Sequence, residues 1–448
     1  MKICLITPPS PFLLDERVFM HIGILKIAAV LEKEGHKVDF IDLSAVKNYM
    51  EVLEDYVSSQ SEKITIGITA TTPQVPYAVK IGQFLKNKEK VEKTILGGPH
   101  VTLMSAAAKR EKKKNFEGSD RAKRDLDKLY SIFDVLTCGD GEYAIFEALK
   151  AKRGIIDADD RKSPLFLKNN DLTDLPLPAR HLVDMDSYKY YIEGERATSL
   201  IAQLGCPFKC SFCSGRNSPF LRKIRTRTTE SIVSEVEHLY KTYGLKGFMF
   251  YDDELNVNKE MVNLMRELIK LQKKYKEQFM LRGFVKAALF NEEQAEVMYE
   301  AGFRWLLTGF ESGDENILYN IRKNATRDDN TRAVEYAKKH GLKVKALMSV
   351  GHAGESRETI ENTKNWLLEV QPEDFDCTII TTYPGSPYFD DAVRNGNYYT
   401  YTDKVNGARL HQASLDYCVD QDYYKGDPEG GYTSYVWTDH ISAKDLVI

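Results

Sequence analysis

Three cysteines, Cys206, Cys210 and Cys213, form a C-x3-C-x2-C array. Three thiolates packed this closely can converge on one metal centre, and thiolate is the usual protein ligand of iron–sulfur clusters. A four-iron cluster held by three cysteines keeps one iron open to a small molecule. A zinc knuckle short of one ligand is a competing reading, but no fourth Cys or His lies nearby at zinc-finger spacing. A disulfide would leave one thiol over, and buried structural cysteines are usually scattered, not clustered behind a Gly and a Pro.

Other residues able to do chemistry stand where strands should end. Asp252-Asp253-Glu254 is a run of three carboxylates that could bind a divalent metal or cap the next helix. Lys286 is a charge inside an expected strand, open to a salt-bridged structural role or to an anionic ligand. Glu311-Ser312-Gly313 and Gly351-His352-Ala353-Gly354-Glu355 are polar, glycine-bearing turns.

The elements that must position them follow from periodicity. From residue 198 strands and helices alternate, with strands expected at 198–204, 247–251, 281–287, 305–309, 343–350 and 375–381. Each is followed by a helix or a polar turn. Residues 1–150 show the same alternation, with strands expected at 3–7, 37–42, 64–70, 94–96 and 135–138. That pattern predicts a parallel, doubly wound sheet whose ligand crevice lies at the carboxyl ends of its strands. Between them, residues 151–195 have little periodicity, carry Leu175-Pro176-Leu177-Pro178-Ala179-Arg180, and read as a linker. The dense charge of residues 109–128 suggests a solvated helix or mobile excursion. Beyond about residue 390 the chain turns rich in Tyr, Gly and Asp. This reads equally as a substrate-facing lid over the barrel mouth or as a packed cap. Residues 442–448 resemble a helix just starting, which suggests a chain cut short.

At 448 residues the chain can hold two to four domains. The 62 basic and 66 acidic residues leave a net charge of −4, so bulk charge implies no nucleic-acid partner. Seven cysteines, an odd number with three clustered, fit a reducing compartment. No segment approaches the ~18 apolar residues of a membrane span, and the N-terminus lacks a signal peptide. A cytoplasmic protein without a membrane association is expected.

The cysteine segment closely resembles the signature of the radical S-adenosylmethionine (SAM) superfamily. The resemblance implies a partial (β/α)6 barrel over 196–390, a 4Fe-4S cluster on Cys206, Cys210 and Cys213, and SAM on the open iron. It sets Phe212 beside the adenine and gives the Asp252-Asp253-Glu254 turn to the SAM amino group. Glu311 and Ser312 go to the ribose, and the Gly351 turn goes near the adenine, with Ala353 where the family has proline. Lys286 could meet the SAM carboxylate or a substrate.

Four strand-end turns of residues 1–150 resemble the cobalamin-binding domain fused ahead of this barrel in one subfamily. They are Pro8-Pro9, Thr69-Ala70-Thr71-Thr72-Pro73, Gly97-Gly98-Pro99-His100 and Gly139-Asp140-Gly141-Glu142. Glycine lets backbone approach a flat corrin and its nucleotide tail closely. Thr72, Pro73 and Gln74 are implied to lie under the corrin's lower face. The D-x-H-x2-G motif that supplies a histidine to cobalt elsewhere is absent, which leaves His100 as a hydrogen-bonding or packing residue.

The resemblance implies a cobalamin-dependent methyltransferase acting on an unactivated carbon through a 5′-deoxyadenosyl radical and methylcobalamin. The alternative is another radical SAM reaction (cyclisation, rearrangement or carbon–carbon coupling) with cobalamin structural or absent. The implied partners are a small-molecule or peptide substrate and a one-electron donor such as flavodoxin or ferredoxin. Residues 391–448 would form the cap or substrate region.

Overall fold

The computed structural model describes residues 1–13, 15–114, 120–420 and 431–447. Its first sheet has six parallel strands: β1 (Lys2–Thr7), β2 (Lys37–Asp42), β3 (Ile64–Thr69), β4 (Val91–Gly97), β5 (Val135–Gly139) and β6 (Gly154–Ala158). They run in the order β2-β1-β3-β4-β5-β6, so the winding reverses beside β1. The central strands are buried on both faces, as a parallel sheet requires: Ile3, Leu5, Ile64, Ile66 and Leu96 are at most 2% exposed. The helix Ile22–Lys33 covers one face through Ile24, Leu25, Ala28 and Leu31.

The sixth strand falls inside the expected linker, because residues 154–158 carry enough β-branched and apolar character to extend the sheet edge by pairing with β5. The rest of that stretch is pinned at both ends. Ala179 N–H bonds Leu25 O at 3.0 Å, and buried Arg180 bonds Glu235 and Ser199 O, each at 2.8 Å.

The second sheet begins with the short antiparallel pair β7 (Tyr191–Ile192) and β8 (Glu195–Leu200). A hairpin of β9 (Gln203–Leu204) and β10 (Arg225–Thr226) then frames the cysteine loop. Next come β11 (Gly247–Phe250), β12 (Met280–Phe284), β13 (Phe303–Glu311), β14 (Lys343–Val350) and β15 (Asp374–Ile379). Strands β8 and β11 to β15 are mutually parallel in sequence order, giving six β/α units of a partial barrel. Its helices are capped as their sequences dictate. In Thr229–Tyr243 the Thr228 hydroxyl accepts from Ser231 N–H, and Gly244 ends the helix at φ +65°.

The described C-terminal residues form an antiparallel sheet of β16 (Val393–Asn395), β17 (Tyr398–Thr402), β18 (Arg409–Ala413) and β19 (Val436–Trp437). Tyr388, Tyr399, Tyr401 and Tyr417 are all buried there. This part of the tail is a packed cap, and the stretch 423–430 lies outside the described residues. Residues 443–447 form turns.

The charged stretch departs from expectation as well. Helices Pro99–Lys114 and Arg121–Ile132 occupy its described residues, and their charges tie parts of the fold together. Arg110 bonds Asn217 at 2.9 Å and Asp391 at 2.7 Å, and Lys128 bonds Asp416 at 2.8 Å. Arg121, 6% exposed, bonds Phe389 O and sits 3.5 Å from the Phe389 ring centroid and 4.1 Å from that of Tyr399. No helix among the described residues is long and apolar enough to cross a membrane.

Candidate functional site: a cysteine loop facing a glycine-lined cleft

The cysteine loop leaves β9 through Gly205 at φ +89°, where a Cβ would come within 2.2 Å of Lys223 O. Only glycine fits there. Cys206 N–H bonds Leu221 O at 2.9 Å, and Arg222 donates to the carbonyls of Pro207 and Phe208. All seven cysteines are free thiols; Cys4 and Cys138 are buried, whereas Cys206, Cys210 and Cys213 are reachable. Burial pushes the Cys206 thiol up to about 12, with Glu254, Asp253 and Cys213 adding to the effect. No three His, Cys, Asp or Glu side chains among the described residues converge on the position of one ion. Three reachable thiols on one loop are the donor set that would hold an iron–sulfur cluster.

The acidic turn after β11 divides its labour. Asp252, 2% exposed, accepts from Ala202 N–H at 2.8 Å and Gln203 N–H at 2.6 Å, and burial pushes it up to about 7. Asp253 accepts from Gly205 N–H at 3.1 Å. Both brace the entry to the cysteine loop. The Glu254 carboxylate has no hydrogen-bond or ion-pair partner among the described residues; burial pushes it up to about 7 despite Lys323 and Lys286. Of the three acids, Glu254 is the one free to hold a ligand.

Lys286 lies just past the end of β12 instead of inside it, because the chain turns at Phe284 into the short helix Ala287–Leu289. It is 2% exposed, bonds Lys323 O at 2.7 Å and stands 4.2 Å from the Phe208 ring centroid. Lys323, absent from the sequence reading, bonds Glu311 at 3.0 Å. Glu311 also accepts from Ser349 Oγ at 2.7 Å, and that hydroxyl meets His352 Nε2 at 2.8 Å. Burial pushes the Glu311 carboxyl up, but Lys323 and Ser349 more than reverse this and hold it below the usual range. Glu311 sits at φ +65°, a conformation uncommon outside glycine, where β13 breaks register with β14. Burial lowers His352 to about 4, so it is neutral, and its Nδ1 has no hydrogen-bond partner among the described residues.

Ser312 is not available as a ribose contact. Its hydroxyl is shared with Thr363 Oγ1 at 2.9 Å and Asp314 N–H at 3.1 Å, and it is 2% exposed. Gly351, at φ +92°, turns the chain beneath Val436 of β19. The Phe212 ring lies 5.3 Å from that of His352, which brings the cysteine loop and this turn together.

In the first sheet a cleft of about 980 Å³ opens at the strand ends, lined by Gly97, Gly98, Pro99, Gly139, Gly141 and Glu142 among others. A Cβ at Gly98 would meet Ala70 N at 2.7 Å, and one at Gly139 the Ala158 carbonyl carbon at 2.5 Å, both at positive φ. Bare backbone and an apolar floor of Leu5, Ile68 and Ile95 suit a large flat group carrying a tail. Gln74 knots the β3 and β1 turns, bonding Ser10 Oγ at 2.8 Å, Pro8 O at 3.1 Å and Thr71 N–H at 3.0 Å. Thr72, Pro73 and Gln74 are buried. Pro8 and Thr71 are thus held by this knot, and neither they nor Pro9 and Thr72 line the cleft's described wall. His100 is fully buried, with Nδ1 3.2 Å from Thr72 Oγ1, and burial lowers it to about 3. It packs against Thr72 and Tyr417.

The two sites share a wall. Ile201, Leu204 and Phe220, which flank the cysteine loop, also line the glycine cleft. Asp140, inside the last cleft turn, bonds Arg225 of β10 at 2.6 and 2.7 Å, with both side chains 1% exposed. Asp159 accepts from Ser218 Oγ at 2.8 Å and Phe220 N–H at 2.7 Å. Arg225 carried no signal of its own in the sequence, and Asp140 appeared only as part of a glycine turn.

Residues 200–367 match the model of the radical SAM superfamily, and residues 17–118 that of the B12 binding domain. The chain thus carries a B12-binding domain ahead of a radical SAM domain, a combination that implies a 4Fe-4S cluster, SAM and cobalamin. Among its relatives is an uncharacterized methyltransferase of Pyrococcus horikoshii, 27% identical over 420 residues, spanning 88% of this chain and 84% of the relative. The anaerobic magnesium-protoporphyrin IX monomethyl ester cyclase of Rubrivivax gelatinosus is 27% identical over 384 residues, 80% of this chain and 64% of the cyclase. The fold is that of the radical SAM methyltransferase TsrM of Kitasatospora setae, whose structure holds cobalamin and a [4Fe-4S] cluster. TM-score is 0.68 at 17% identity, over 98% of this chain and 87% of that one.

Proposed function

We propose that the protein is a cobalamin-dependent methyltransferase acting on an unactivated carbon of a small-molecule or peptide substrate. The observation that carries this reading is the wall shared by the glycine cleft and the cysteine loop. When bound, the cluster with SAM supplies one-electron cleavage of a carbon–sulfur bond, and cobalamin supplies a transferable methyl group. Cys206, Cys210 and Cys213 would hold the cluster. Glu254 would accept from the SAM amino group, Glu311 would serve the ribose, and Phe212 would flank the adenine. Gly97, Gly98, Gly139 and Gly141 admit the corrin, while the Asp140–Arg225 pair fixes one site against the other. The cap behind Gly351 excludes water from that end of the barrel.

Ring closure is the second reading, supported by the likeness to the cyclase. The two separate by product mass. Reconstituted protein is given dithionite, SAM labelled in its methyl carbon, and a small-molecule extract of its source cells. A product heavier by one labelled methylene supports methylation, and one of unchanged carbon count supports ring closure. Failure to release 5′-deoxyadenosine would defeat both.

A further inference from the structure

A short relay of side chains stands behind the Glu311 carboxylate. His352 Nε2 lies 2.8 Å from Ser349 Oγ, and that hydroxyl donates to Glu311 Oε2 at 2.7 Å. Lys323 Nζ donates to the other oxygen, Oε1, at 3.0 Å. The carboxylate lies over Gly309, where a Cβ would stand 2.7 Å from Oε1 and 3.1 Å from Lys323 Nζ. Any other residue at 309 would push into both groups. Glu311 itself sits at positive φ in the register break of β13, a conformation that the surrounding contacts must hold.

The protons of this relay can be counted. Against the effect of burial, Lys323 and Ser349 hold Glu311 ionised, so its oxygens only accept. A serine hydroxyl has one proton, and Glu311 takes it. Ser349 Oγ can then only accept from His352, which puts the ring proton on Nε2 and leaves Nδ1 a bare acceptor. Nδ1 is buried with no partner among the described residues, and the ring is flanked by those of Phe212 and Tyr388, with centroids 5.3 and 6.2 Å away. A buried acceptor left unpaired is destabilising, and an aliphatic side chain would fill the same space without one. What the histidine supplies that leucine could not is the Nε2 proton. His352 is fully buried, so it meets no ligand itself.

We propose that His352 is a positioning residue for the ribose of SAM: its Nε2–H locks the Ser349 hydroxyl onto Glu311 and so fixes the direction in which Glu311 presents its remaining lone pairs. The proposal rests on the reading of Glu311 as the acid that would serve the ribose. Without the ring donor, the Ser349 hydroxyl is free to rotate, and Glu311 is left with Lys323 on one oxygen. A carboxylate held on one oxygen can pivot about that contact. One held on both keeps its free lone pairs aimed, which is what recognition of a hydroxyl needs. Each link also polarises the next in a buried setting. The two supports divide the work: the Lys323 charge keeps the acid ionised, and the Ser349–His352 pair sets its direction.

The test measures equilibrium binding of SAM and of its 2′-deoxy and 3′-deoxy analogues to reconstituted full-length protein, by anaerobic calorimetry with the cluster left oxidised. In the wild type, loss of one of the two hydroxyls should weaken binding about tenfold or more, as loss of a hydrogen bond to a charged group does. In His352→Leu, SAM should bind about fivefold less tightly while that deoxy analogue binds as to wild type, so the discrimination shrinks to about twofold. Ser349→Ala should do the same, and the double variant should be no worse than either, because the two act in series. His352→Gln, whose amide offers a donor at similar reach, should restore most of the discrimination. His352→Leu should melt at or above the wild-type temperature, since the orphaned Nδ1 is gone. Should it not fold, Ser349→Ala and His352→Gln decide the matter by the same ratio. Unchanged discrimination in the variants would overturn the proposal. So would an equal loss for SAM and both analogues, which would mean a structural role alone, and so would losses that add in the double variant. A wild type that binds SAM and both deoxy analogues equally would instead remove the ribose reading of Glu311, and the positioning role with it.

Discussion

Arg225→Met should be among the most damaging single changes in this protein. It leaves Asp140 buried with only Leu167 N–H at 2.9 Å, and it removes donors to Leu167 O and Phe220 O. It also takes a cation from over the rings of Phe166, 4.7 Å away, and Phe220, 5.1 Å away. Breaking a buried ion pair from one side costs about 3–5 kcal/mol. For a cooperative unit of about 200 residues that is a fall of about 6–20 °C in melting temperature. Asp140→Asn should cost a similar amount, since Arg225 then keeps its charge without a counter-ion. Because the penalty comes from a stranded charge, Asp140→Leu with Arg225→Met should recover much of it. The assay is differential scanning fluorimetry of apo-protein for the four forms, with limited proteolysis at the cysteine loop as a local readout. A double variant as unstable as the two single losses added together would refute the reasoning, as would single variants that melt with wild type.

Replacing Cys206, Cys210 or Cys213 by Ala should abolish the brown chromophore after reconstitution with iron and sulfide, whereas Cys4→Ala and Cys138→Ala should keep it. His100→Ala should lower the melting temperature by several degrees, through the cavity left beside Thr72 and Tyr417. The absorption of bound corrin should stay that of a base-off form, and any change in it on this substitution would show a histidine on cobalt. Asp252 tests the pH dependence. Its folded value of about 7 lies above the unfolded carboxyl value, so its contribution to stability is complete below about pH 4 and is lost as pH rises toward 7. Asp252→Asn should therefore gain on wild type in melting temperature between pH 5 and 8. A constant gap across that range would count against a raised carboxyl.

The sheets were legible because parallel strands buried on both faces read as short apolar runs between glycine turns. The cysteine loop was legible because its spacing is local. Side-chain direction was not. Asp252, Asp253 and Glu254 are adjacent acids, and only the path of the chain decides that the first two brace backbone while the third stays free. Lys323 and Arg225 meet their partners across 12 and 85 residues, and no periodicity encodes such a meeting. The charged stretch misled for a related reason. Dense charge normally means solvent, but Arg121 is flanked by Phe389 and Tyr399 from the far end of the chain.

That sandwiched arginine has a consequence for how the protein is made. Helix Arg121–Ile132 completes the face of the first sheet through Leu126 and Leu129, but its own anchors are Phe389, Gln412 and Asp416, almost 300 residues later. During synthesis the first sheet can form while this helix still lacks its counter-surface, and long-range closure is slow. The cluster that Leu126 and Leu129 share with Phe389 and Tyr417 thus stays incomplete until residues 387–417 have emerged and folded back. The last part of the chain to be made is therefore the part that locks a helix of the first sheet in place.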